Sequence, residues 1–226
     1  MYYWLNVIAW ASLFVGVGSS LVIVVDLLAG HRHKMAIMNI VWPVTALYLG
    51  PLALWGHWES LGMGADDKAR KQNAGVGQRP LWQKAVLATT HCGAGCTLGD
   101  IIGEWGVFAM GATIAGSMLL TDYLVDFALA YLLGIIFQFL TIVPMKHLPP
   151  GKGLWEAIKV DTLSLVAFEI GMFGWMALMH FGFFSTPPKP NQAVYWFMMQ
   201  LGMIAGFLTS LPANWFLVRT GIKPAM

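Results

Sequence analysis

Ten consecutive residues, His91-Cys92-Gly93-Ala94-Gly95-Cys96-Thr97-Leu98-Gly99-Asp100, hold the only two cysteines of this chain together with a histidine and a carboxylate. Thiolate sulfur and imidazole suit copper(I), zinc or an iron centre, and carboxylates broaden that choice. On a helix, Cys92, Cys96, Asp100 and Glu104 fall at successive i,i+4 positions and so share one stripe. If Gly93, Gly95 and Gly99 break the helix instead, freed backbone groups join the site, provided they are buried in protein or line a polar cavity. The Cys-x3-Cys spacing is not the Cys-x2-Cys of common metal and redox motifs. Three readings follow from the motif. It could hold a metal through His91, Cys92, Cys96 and Asp100, or perform dithiol redox chemistry. It could also be a close helix crossing in which the glycines and small cysteines fit and His91 bonds across the interface.

Other ionisable residues stand in apolar surroundings, where a charge is costly and is by default a functional hypothesis. Glu104 lies one turn beyond Asp100, Asp122 and Asp126 form a second i,i+4 pair, and Glu169 sits deep in an apolar run. Together Glu104, Asp126 and Glu169 read as a relay for protons or charge. Asp26, His31, His33 and His57 flank the ends of the first two apolar segments and read as a rim where an ion gains access. His180, eleven residues after Glu169, is a further accessory candidate on that helix. Arg219 and Lys223 read as anchors among lipid phosphates beside Trp215.

The elements that must hold these residues are helices in a bilayer. Of 226 residues, 58% are hydrophobic and 11% charged; about 25% charged is ordinary for a soluble domain. The mean hydropathy is +0.65, and several runs exceed the roughly 18 apolar residues of a membrane span. The expected fold is all-α: a single integral membrane domain over residues 1–226, built as a polytopic helix bundle. Spans are read at 5–28, 35–57, 101–120, 123–143, 162–184 and 194–217. Pro43 and Pro51 predict a kink in the second. An additional broken, re-entrant or interfacial segment is expected at 81–100. A continuous helix over 81–120 would reach about 60 Å, against roughly 30 Å of hydrocarbon. With six spans, the hydrophilic loop 58–80 and both termini fall on the cytoplasmic side, which then carries ten Lys and Arg. Arg32, Lys34 and Lys189 fall outside, and the first two strain the assignment. The net charge of +2 comes with no basic stripe, so nucleic acid is not an expected partner. Lipid is, and so is a second copy of the chain.

The His91–Asp100 motif, Trp42-Pro43-Val44-Thr45-Ala46-Leu47-Tyr48 and Asn214-Trp215-Phe216-Leu217-Val218-Arg219-Thr220-Gly221-Ile222-Lys223 resemble a bacterial membrane family catalogued as domain of unknown function family 4396. The resemblance extends over most of 35–226. It implies a small polytopic protein of the bacterial inner membrane and transfers no activity. No phosphate loop, dinucleotide fingerprint, serine elbow or metalloprotease helix is present. The function expected is therefore a membrane permease or metal-handling protein for a soft transition metal, with copper, zinc or iron as its ion. A membrane redox protein using the cysteine pair or a bound cofactor is the alternative, and a structural or assembly protein is the third.

Overall fold

A computed structural model describes residues 3–33, 35–61 and 80–223. Among these the chain is helical: α1 (Tyr3–Leu28), α2 (Met38–Leu49), α3 (Pro51–Leu61), α4 (Leu81–Met110), α5 (Met118–Lys146), α6 (Pro150–Leu178) and α7 (Ala193–Arg219), with a π-helical turn, Met179–Phe183, extending α6. Helices α1, α5, α6 with its π turn, and α7 are long and apolar enough to cross a membrane. Helix α4, at 30 residues about 45 Å, packs against α2, α5, α6 and α7. It is less apolar because it carries the motif, and it can afford its polar stripe because other helices cover it.

Local chemistry sets the element ends. Gly111 takes the left-handed conformation that closes α4. The Ser117 hydroxyl then accepts from the Leu120 amide at 3.2 Å and opens α5. Pro150 starts α6 at a position where a missing amide hydrogen costs nothing.

Two expected elements are corrected. Segment 81–100 is not broken: α4 runs without interruption from Leu81 to Met110. The long apolar run is divided instead at 111–117, so 101–120 is not a span. Neighbouring backbones can approach the glycines of α4, so these residues need no break to be useful.

The second correction concerns 35–57, which does not cross the bundle. Helices α2 and α3 form a hairpin folded at Gly50, whose φ of 54° is one that other residues rarely adopt. Trp42 on the inward limb packs on Gly56 of the outward limb, where an added Cβ would meet its ring at 2.7 Å. Its ring centroid lies 6.3 Å from that of His57, whereas fifteen residues of straight helix would separate them by about 22 Å. The tip reaches the middle of α1, with Gly16 against the Leu47 carbonyl. Gln200 of α7 donates to that same carbonyl at 2.6 Å.

The fold-back changes the direction of everything before α4. His57 bonds to Asp26 near the end of α1, so Leu61 lies at the same end of the bundle as Leu28. Leu87, early in α4, shares an apolar cluster with Ile23 and Leu27, so α4 departs from that end too. The Leu28 end therefore gathers both limbs of the hairpin, the starts of α4 and α6, and the ends of α5 and α7. The Tyr3 end holds the turns 111–117 and 184–192. Tyr3 and Lys223 consequently lie at opposite ends of the bundle. Loop residues 62–79 lie outside the described residues, but Leu61 and Pro80, between which they run, both stand at the Leu28 end.

Candidate functional site: a buried column of carboxyls and thiols

The stripe expected on α4 is present. Cys92, Cys96, Asp100 and Glu104 are all buried, and the unbroken helix keeps them at i,i+4 spacing. Over twelve residues they extend about 18 Å along the axis. Consecutive helical residues diverge by about 100°, which takes His91 off this stripe. Its Nε2 pairs with the Thr141 hydroxyl of α5 at 3.0 Å, and its ring packs edge-on against Phe137. His91 is thus separated from Cys92 and Cys96 as a donor set. Among the described residues no three of His, Cys, Asp and Glu converge to hold a metal ion. The two cysteines are free thiols.

Three further carboxyls join the stripe from α5 and α6. Glu169 faces the bundle interior beside Cys96, in contact but outside hydrogen-bonding geometry. Asp126 seats its carboxyl against Gly103, and Asp161 seats its own against Gly134, where an added Cβ would strike each. The glycines thus serve two purposes. Gly95 lies against the Gly134 backbone and Gly99 against the Ala130 backbone, bringing α4 and α5 together. Gly103 and Gly134 leave room for acids. From the Leu28 end the order is Asp161 with Cys92, then Cys96 with Glu169, then Asp100, then Glu104 with Asp126.

The column is short of donors. Both oxygens of Asp100, Asp126, Asp161 and Glu169, one oxygen of Glu104, and both polar atoms of the Gln138 side chain have no hydrogen-bond partner. Buried polar groups are nearly always paired, so such a concentration calls for an explanation. Four isolated carboxylates in a bilayer interior would cost far more than a helix bundle can return, so protons, water or cations must share the column.

Among the described residues Lys223 is the buried cation. Sequence reading made it a lipid anchor, and the structure corrects this. Gly221, at φ 72°, turns the chain after α7, and the Lys223 amide bonds back to the Leu217 carbonyl at 3.0 Å. The side chain enters the bundle, where Nζ donates to Asn214 Oδ1 at 2.7 Å and to Ser164 Oγ and the Ala88 carbonyl at 3.4 Å each. No local pattern marks this residue, since its burial depends on a turn and three other helices. Asp161 was also missed, although it stands two turns before Glu169, within the spacing that keeps side chains on one helical face.

The other candidates separate from the column. Asp26, His31, His33 and His57 do assemble, at the Leu28 end. Asp26 accepts from His31 Nδ1 at 2.8 Å and from His57 Nε2 at 2.9 Å. A neutral His57 donating through Nε2 offers Nδ1 as acceptor, and His33 Nε2 lies 2.9 Å from it. This chain ties the outward limb of the hairpin to α1, far from Cys96. His180 stands in the π turn with its ring against Phe181, away from Glu169 as well. Beside the column an apolar cavity of about 190 Å³ opens between α1, α2, α4 and α7, with Thr97, Met199, Gln200 and Met203 in its wall. The Thr97 hydroxyl donates to the Met203 sulfur at 3.7 Å.

Residues 81–223 match the family model described as Domain of unknown function (DUF4396). The match covers the four helices that build the column and leaves out α1 and the hairpin. No curated protein and no solved structure matches the chain.

Proposed function

Because the chain belongs to that family of unknown function, its activity has to be argued from the column itself, and we propose that it is a proton-coupled membrane permease for a small ion. The observation that carries this reading is the burial of Asp100, Glu104, Asp126, Asp161 and Glu169 along one axis, with Lys223 as their buried cation. A carboxyl in hydrocarbon rests protonated and ionises when a cation or water file reaches it, which couples cation movement to proton release. Cys92 and Cys96 fill the intervals between the carboxyls as free, buried thiols. The donor set supports proton handling over capture of a soft metal, since His91 is turned toward Thr141.

Charge distribution supports an orientation for this machine. Helices α1, α4, α5, α6 and α7 cross, and the α2–α3 hairpin enters and leaves on one side. Among the described residues Arg32, Lys84, Lys146, Lys152, Lys159, Arg219 and Lys223 stand toward the Leu28 end, and Lys189 toward the Tyr3 end. By the positive-inside rule that end is cytoplasmic, with the N-terminus outside and the C-terminus inside.

The test is proton movement in proteoliposomes carrying a pH-sensitive dye inside. Under an imposed potential the wild-type protein should acidify or alkalinise the lumen faster than empty vesicles. Glu169→Gln, which keeps volume and removes the exchangeable proton, should reduce that rate at least tenfold without lowering the unfolding midpoint. Equal rates for protein, variant and empty vesicles, across alkali and ammonium salts, would reject the reading.

A further inference from the structure

The inner end of the column is built as a site for a positive charge, and a piece of the chain sits in it. The Lys223 ammonium meets three neutral oxygens: the Asn214 side-chain carbonyl, the Ser164 hydroxyl and the Ala88 main-chain carbonyl. Each comes from a different helix, α7, α6 and α4. Oxygen-only donor sets of this kind suit hard cations. The carboxylate of Asp161 and the amide of Gln138 stand close by, both fully buried and both without a hydrogen-bond partner. A lysine retained only as structural counter-ion would be seated on the carboxylate. Here the Asp161 oxygens receive no hydrogen bond from it, and the ammonium sits in the neutral shell beside them. The lysine is carried on four residues beyond α7, past the left-handed turn at Gly221. Withdrawing it therefore requires movement of the segment 220–223, with α7 left in place.

We propose that Lys223 is the tethered occupant of a monovalent-cation site formed by Ala88, Ser164, Asn214 and Asp161, which a free potassium-sized or ammonium ion takes when the segment 220–223 withdraws. This deepens the permease reading by giving the cargo a chemical class and a first resting place. It also gives that segment a role, since a resident lysine closes the column from the cytoplasm.

The experiment is equilibrium binding on the purified full-length chain in detergent, read as the thermal unfolding midpoint. Lys223→Met keeps the apolar stem and removes the ammonium. In this variant potassium or ammonium chloride should raise the midpoint saturably, by about 3 °C or more at saturation, while choline chloride at equal ionic strength should not. Wild-type protein should respond weakly, and Lys223→Met combined with Asp161→Asn should not respond. A response equal in wild type and variant, or unaffected by Asp161→Asn, would overturn the site. So would no response in a folded Lys223→Met protein.

Should that variant fail to fold, the wild-type protein decides. High potassium should displace Lys223 and speed its acylation by an amine-reactive ester several-fold over choline, and an unchanged rate overturns the proposal. Binding without proton flux would keep the site and reject the permease; flux without binding would do the reverse.

Discussion

Substituting alanine at three glycines of α4 should separate backbone crowding from helix propensity, because the same change meets three different surroundings. At Gly106 an added Cβ meets nothing within 4 Å. Alanine there gains helix propensity of about 1 kcal/mol over glycine and loses nothing. At Gly95 the new methyl comes within 3.1 Å of the Gly134 Cα, a contact that costs a shift of a few tenths of an ångström. At Gly99 it comes within 2.6 Å of the Ala130 Cα and 2.9 Å of the Leu129 carbonyl carbon. Those atoms are backbone and cannot rotate away, so α4 and α5 must separate. Overpacking of this kind costs about 1–3 kcal/mol, which matches or exceeds the propensity gain. The expected order of stability is Gly106→Ala above wild type, Gly95→Ala near it, and Gly99→Ala below it by up to about 2 kcal/mol net. At about 2–4 °C per kcal/mol for a chain of this size, midpoints measured in one detergent should rise by about 2–4 °C for Gly106→Ala and fall by up to about 8 °C for Gly99→Ala. Because the helix separation also unseats Asp126 from Gly103, Gly99→Ala should slow proton flux as well. If Gly99→Ala proved as stable as Gly106→Ala, the close α4–α5 approach would be refuted, and with it the order of groups along the column.

Topology gives a second expectation. Single cysteines at positions 32, 70 and 189, in a chain with Cys92 and Cys96 changed to serine, should react with an impermeant maleimide in intact cells only at 189. Reaction at 32 but not at 70 would restore a crossing between them and remove the hairpin. Asp26→Ala should lower stability by about 1–3 kcal/mol, because the fully buried His57 loses the acceptor for its Nε2–H. Amide exchange should then quicken in Pro51–Leu61 more than in α4, and uniform exchange would show that Asp26 does not tie the hairpin to α1.

Much of this protein was legible in its residues. Apolar runs as long as a bilayer is thick, interrupted by turn residues, read as helices suited to a membrane, since backbone groups there must bond within their own segment. The i,i+4 spacing of Cys92, Cys96, Asp100 and Glu104 needed nothing but the helical repeat to be read as one stripe. The isolation of Glu169 in an apolar run was enough to turn it inward. Membership of the family was visible in the same motif, which lies in the matched span 81–223.

Other features are decided by contacts between residues far apart in the chain. The residues 35–57 are as apolar in a folded hairpin as in a straight span. Pro43 and Pro51 weaken a helix without saying which way it turns, and the fold-back rests on Trp42 meeting Gly56 and on Asp26 meeting His57. The glycines of α4 read equally as a break or a crossing, until the opposing Ala130 and Gly134 backbones fill the space beside them. Lys223 read as a lipid anchor and Asp161 went unmarked, because burial of a charge depends on which oxygens a distant helix supplies. Local sequence thus determined the helices and the stripe, through periodicities that each segment carries alone. The direction of the chain through the bundle, and the alignment of five carboxyls in one column with Lys223 beside Asp161, depend on which surfaces meet, and only the tertiary structure decides that.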